Sequence, residues 1–187
     1  MESTTSLTSQ FLIAMPNLGD PNFSRTVTLL CQHNEQGALG IIINRPSSMK
    51  LGDILHHMEI TVSDTTCQKT QVFSGGPVQP ERGFVVHSPS TNWDSSLVIS
   101  DSISLTTSRD ILEAIAVDEG PDKAFIALGY AGWGENQLET EMVNNAWLST
   151  PFTQDILFDT PVKQRWNAAA EQIGVDINML TTPAGHG

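Results

Sequence analysis

The chain has 187 residues, with 9 Lys and Arg against 21 Asp and Glu, and a formal charge of −12 at pH 7. Hydrophobic residues make up 39% and charged residues 16%, too apolar and too lightly charged for a disordered chain. Nucleic-acid binding draws most of its affinity from Lys and Arg on phosphates, so this balance disfavours direct contact with nucleic acid and with anionic membranes.

A chain of this length can bury a core without staples. Residues 1–10 read as a flexible, Ser/Thr-rich N-terminal segment and residues 11–187 as one domain. Two cysteines, Cys31 and Cys67, make no disulfide framework. The start lacks the basic and apolar regions of a signal peptide, and no apolar run approaches the ~20 residues of a membrane span. The expectation is a cytoplasmic, soluble protein.

Phe11-Leu12-Ile13-Ala14-Met15 is a short apolar run closed by Pro16, and residues 17–21 are dense in turn formers. Residues 26–31 and 38–43 are β-branched and apolar and flank a polar loop with Gly37, which predicts a hairpin. Asn44-Arg45-Pro46 closes its second strand. Leu51, Ile54, Leu55 and Met58 mark one face of a helix. Val72-Phe73 and residues 83–87 read as strands separated by Ser74-Gly75-Gly76-Pro77.

Residues 97–99 and 103–105 predict a second hairpin. Thr106 or Thr107 can cap a helix with Ile111, Leu112 and Ile115 inward. Residues 123–128 form a strand, and residues 129–134 a glycine-rich turn before a helix lined by Leu138, Met142, Ala146 and Trp147. Ile156-Leu157-Phe158 is short and apolar. Pro161 opens, and Gly174 ends, a last helix with Val162, Trp166, Ala170 and Ile173 inward. Strands and helices intermix without a βαβ beat, so the class is α+β, one domain with a mixed or largely antiparallel sheet and about four helices.

Two constellations could carry chemistry. Cys31 and His33 stand two apart on a strand, where side chains share a face, so a thiolate could be stabilised by an imidazolium. The alternative is a small core cysteine beside a surface histidine. Ser74, Gly75 and Gly76 could offer an anion-binding nest, with Arg82 adding a forked donor and Asn44 and Arg45 as polar neighbours. The alternative there is a tight turn that needs glycine only for its backbone.

The histidines and cysteines lack the paired spacing of a metal site, so no metal and no cofactor is expected. Residues 129–134 lack the lysine and Ser/Thr of a phosphate loop, and Glu135, Glu139 and Glu141 follow directly, so this turn reads as structural.

The segments resemble the AlgH/YqgE family. The resemblance is carried by residues 11–16, Asp20-Pro21-x-Phe23 with Arg25-Thr26-Val27, Cys31-Gln32-His33-Asn34, and Gly40 with residues 41–46. It continues through Gly75-Gly76-Pro77-Val78, Arg82-Gly83-Phe84, residues 106–112 and residues 128–133. Gln137-Leu138-Glu139-x-Glu141, residues 145–148, residues 156–161 with Trp166, and Gly185-His186 complete it. The departures are the Ser/Thr-rich start and Gly187, where the family usually has alanine. The resemblance implies a small barrel-like sheet surrounded by helices. It links the family to transcriptional regulation of alginate production, without an established activity or a catalytic residue set.

With the acidic charge, this points to a non-enzymatic regulatory or binding protein acting indirectly through an unidentified protein or small-molecule partner. An enzyme using Cys31 with His33, and a direct DNA-binding regulator, are the rival readings.

Overall fold

Strands that alternate two apolar faces need cover on both sides, and the architecture supplies it. A computed structural model describes residues 6–16, 20–21, 23–63, 65–90 and 92–176. Strands β1 (Gln10–Ala14), β2 (Val27–Asn34), β3 (Gly37–Ile42) and β4 (Pro46–Lys50) lead into α1 (Leu51–His57) and α2 (Thr65–Gln68). Then come β5 (Gln71–Ser74), β6 (Val78–His87), β7 (Ser96–Val98), β8 (Ser104–Thr106) and α3 (Arg109–Ala116). β9 (Ala124–Trp133), α4 (Gln137–Val143), β10 (Trp147–Pro151) and α5 (Arg165–Glu171) follow. A π-helical turn at Asp155–Asp159 and a 3-10 turn at Val162–Gln164 precede α5.

The strands form one curled, half-barrel sheet in the order β10–β1–β2–β3–β9–β6–β8–β7. Off this path β5 pairs β4 antiparallel and β9 parallel. The sheet is therefore mixed and largely antiparallel, and the helices are short. β9 is the branch point: its first half lies between β6 and β5, and its second half pairs β3 through residues 131–133.

Period-two alternation distributes the strands over three apolar clusters. Phe11 and Ile13, Phe84 and Val86, and Phe125 and Ala127 share one core with Trp166, Ala169 and Ala170 of α5. Their sequence neighbours Val85 and Ile126 point to the opposite face, against Leu51, Ile54 and Leu55 of α1 and Ile111 and Leu112 of α3. Leu12, Ala14, Leu30, Ala131 and Trp133 pack with Leu138 of α4 and with Trp147. A buried aliphatic side chain contributes about 1.5–3 kcal/mol, so these clusters dominate the stability.

Both expected hairpins form, as β2–β3 and β7–β8. Helix α1 buries Leu51, Ile54 and Leu55, and the Asp53 carboxylate accepts the Lys50 N–H as a cap. Other expectations are corrected. Residues 129–133 are not a turn but the second half of β9, because Ala131 and Trp133 keep the alternation going across the glycines. Trp147 lies in β10, not on the preceding helix, which ends at Val143. The second strand of the first hairpin ends at Ile42, before Asn44-Arg45-Pro46 as expected, and Pro46 then opens the separate strand β4.

The cap of α3 is Ser108, with Thr106 inside β8. The last helix begins as a 3-10 turn after Pro161 and leaves Ile173 38% exposed, not inward. Over its described residues 6–10 the N-terminal segment is held against β2, with the Ser9 N–H on the Leu30 carbonyl and the Leu7 N–H on His33 Nδ1. The turn expected at residues 17–21 lies partly, and Gly185-His186 wholly, outside the described residues.

Candidate functional site: an apolar cavity between two helices

The face of β6 and β9 that carries Val85 and Ile126 is flanked by α1 and α3, and the helices do not close over it. A cavity of about 410 Å³ remains. Ile54 and Met58 of α1, Leu112 of α3, Val85 and Gly83 of β6, and Ile126 and Leu128 of β9 line it, with Met49 of β4 at one side. Polar groups stand among the lining: His57, Glu81 and Arg109. This is the composition of a small-molecule pocket, apolar walls with a few polar groups to set orientation. Met49 and Met58 add side chains that adapt to an irregular shape.

Gly83 is the informative residue in this wall. A Cβ built there meets nothing within 4 Å, and its φ lies outside the left-handed region. Neither backbone conformation nor crowding calls for glycine, and its consequence is open volume. Gly76 and Gly129 are the opposite case. Their φ values are +156° and +78°, and a Cβ on Gly76 would stand 2.1 Å from the Tyr130 carbonyl carbon.

One rim of the cavity is fixed by a polar network at the start of α3. The Ser108 hydroxyl donates to Asp110, whose other oxygen accepts the Asp94 N–H, and Ser108 Oγ accepts the Ser95 N–H. Burial would raise the Asp110 pKa, but the hydrogen bonds from the Ser108 hydroxyl and the N–H groups of Asp94 and Ile111 outweigh it. They hold the carboxyl below the usual value. Behind the rim, His87 Nδ1 donates to the Ser88 carbonyl, so Nε2 accepts from Thr106, which in turn accepts from Ser96. Burial pushes the His87 pKa down, opposed in part by its bond to Ser88.

The residues singled out from the sequence do not converge here. Cys31 and His33 are turned to opposite faces by a β-bulge in which the register of β2 against β3 slips between Leu30 and Gln32. Cys31 joins the core beneath α5, and burial drives its thiol pKa far up. The same burial that makes it a good core residue disfavours the thiolate. His33 faces α4: its Nδ1 accepts from Leu7, so Nε2 donates to Glu139 Oε1 at 2.8 Å.

The Gly75 N–H donates to the Leu128 carbonyl, and the Gly75 carbonyl accepts from Ile42, so this glycine bridges β9 and β3. The two glycine segments meet backbone to backbone at the branch of the sheet. Ser74 donates its N–H to the Arg45 carbonyl. Asn44 accepts from Val27 and donates to Arg25, and Arg45 donates to the carbonyls of Pro21 and Ser24. All three polar residues stitch loops together at the end of β3.

Arg82 lies beside Gly83 but on the other face of β6. Its guanidinium stands 5.4 Å from the Phe84 ring centroid and donates to Gln79. It borders a smaller hollow of about 240 Å³ with Leu39, Leu97 and Tyr130. Arg82 and the α1–α3 cavity thus share one stretch of β6 and lie on its two faces. Among the described residues no group of three His, Cys, Asp or Glu is placed to hold a metal ion. The cavity walls were missed because they come from six elements between residues 49 and 128, and the available signal was one glycine within a strand.

Comparison with known proteins is consistent over almost the whole chain. The profile of the AlgH-like family matches residues 11–178. A UPF0301 protein of Methylococcus capsulatus is 56% identical over 181 residues, covering 97% of this chain and 96% of that one. One from Thioalkalivibrio sulfidiphilus is 54% identical over 186 residues, covering 100% of both. The solution structure of the AlgH protein from Pseudomonas aeruginosa superposes with a TM-score of 0.82 at 46% identity, over 100% of this chain and 99% of that one. The crystal structure of DIP2367 from Corynebacterium diphtheriae shares the fold, with a TM-score of 0.75 at 18% identity, over 98% and 95%.

Proposed function

This chain belongs to the AlgH-like family, and on that premise we propose that it is a non-enzymatic cytosolic binding protein. Its small, largely apolar ligand occupies the cavity between α1 and α3, and any regulatory effect runs through what it binds. The observation that carries this reading is Gly83, a strand glycine whose missing side chain leaves volume in a pocket wall. The burial of Cys31 away from His33 supports the non-enzymatic part. The charge of −12 supports regulation by a route other than direct DNA contact. A chain with only two cysteines has no disulfide framework, which supports a reducing, cytosolic setting.

The test is a titration with Nile red, a neutral dye whose fluorescence rises on entering an apolar site. The native chain gives saturable binding, and Gly83→Leu, which fills the pocket from its wall, weakens it at least tenfold. That variant melts at or above the temperature of the native chain, because the added side chain occupies open space. Equal binding by a folded Gly83→Leu protein overturns the assignment.

A further inference from the structure

Away from the cavity, β7 ends the strand path, and no described strand pairs with its outer edge. We propose that β7 is a docking edge for an extended segment of a partner protein, apolar at alternate residues and carrying Lys or Arg at its two ends. Pairing of that segment with β7 would extend the sheet by one strand.

The phase of the β7–β8 ladder exposes the right groups. Thr107 donates its N–H to the Ser95 carbonyl and Ile99 donates to Ile103, so Ser95, Leu97 and Ile99 turn their peptide groups toward β8. Ser96 and Val98 therefore present N–H and C=O outward. All three residues of β7 are exposed, Leu97 by 37% and Val98 by 71%. Edge strands are blunted by shortness, proline or charge, and three-residue β7 uses only the first of these. The opposite margin of the sheet ends in Pro151 on β10, and β4 carries Pro46 and Lys50. The sequence Ser96-Leu97-Val98 has neither.

Charge selects the occupant. Asp94 and Asp101 stand exposed just beyond the two ends of β7, and neither forms an ion pair among the described residues. From Gly83 to Ser108 the sequence contains no Lys or Arg. A second copy of the chain pairing two-fold through β7 would bring Asp94 of one strand beside Asp101 of the other, between molecules of charge −12. A strand ending in Lys or Arg meets both carboxylates with opposite charge.

The probes are two blocked heptapeptides, X-Val-Thr-Val-Thr-Val-X, with X either Lys or Glu, titrated into the full chain by fluorescence anisotropy and amide NMR. The Lys form binds at least tenfold more tightly than the Glu form and slows hydrogen exchange at the Ser96 and Val98 amides. Val98→Pro removes one outward N–H without touching a β8 hydrogen bond, and it abolishes binding. Val98→Lys does the same by repulsion and serves where the proline variant fails to fold. Replacing both Asp94→Asn and Asp101→Asn removes the preference for Lys over Glu. Three results overturn the proposal: no binding of either peptide, binding indifferent to both Val98 variants, or a Val98-dependent dimer of the chain, which would assign the edge to a second copy.

Discussion

Cys31 shows how one extra residue in a strand changes a residue's chemistry. Without the bulge, residues 31 and 33 would share a face, but the slip after Leu30 sends the thiol into the core and the imidazole to α4. Burial then raises the thiol pKa, so almost no thiolate forms near neutral pH. Cys67 is half-buried and lies closer to solvent. Iodoacetamide applied to the folded chain therefore labels Cys67 first, with Cys31 reacting only after denaturation, as read by peptide mass spectrometry. Rapid labelling of Cys31 in the native state would restore the case for a thiol nucleophile. Arg165 is a second buried group that sequence patterning did not single out. It donates to the carbonyls of Ile43 and Thr160 and stacks over Phe73 and Phe125 at 5.2 and 5.8 Å. Burial lowers its pKa, and its carbonyl partners tie the start of α5 to the end of β3.

Between elements, His87 links β6 to β8 through Thr106, and the link has a definite pH dependence. Burial depresses the native pKa below the ordinary 6.5, so the native state resists a proton that the unfolded chain accepts. Its contribution is complete above 6.5 and is lost as the pH falls from there toward the depressed native value. Comparing urea unfolding at pH 7 and pH 5, the native chain loses more stability than His87→Gln. The excess cannot pass the one-proton limit of about 1.4 kcal/mol per pH unit. An equal loss in both would show that His87 does not titrate differently on folding. At this scale the sequence was most legible where periodicity and local turns decide: the β2–β3 and β7–β8 hairpins and the buried face of α1. It was least legible where distant strands decide. Gly129 and Gly132 looked like a turn because only the pairing of β9 with β3, β5 and β6 shows that the strand runs on through them. Gly83 is a similar case, since its role depends on helices more than twenty residues away on either side.

Across the whole molecule, 21 acidic residues against 9 basic ones set a repulsion that folding has to overcome. Two of the ion pairs among the described residues, Arg109–Glu113 and Lys123–Asp159, are about half exposed. Such exposed pairs contribute about 0–1 kcal/mol each, so long-range repulsion outweighs local attraction. Screening should then stabilise the fold. Raising NaCl from about 0.01 to 0.15 M shortens the Debye length from about 30 to about 8 Å, which removes repulsion between distant carboxylates and spares close pairs. The melting temperature rises, by about 2–4 °C for each kcal/mol of relief in a domain of this size. A fall on adding salt would mean that the ion pairs dominate. The same field bears on binding, because a neutral ligand entering the α1–α3 cavity is indifferent to it, whereas a basic strand arriving at β7 is drawn in. Salt therefore separates the two sites: Nile red affinity stays level across this range, and affinity for the Lys-ended peptide falls as Asp94 and Asp101 are screened.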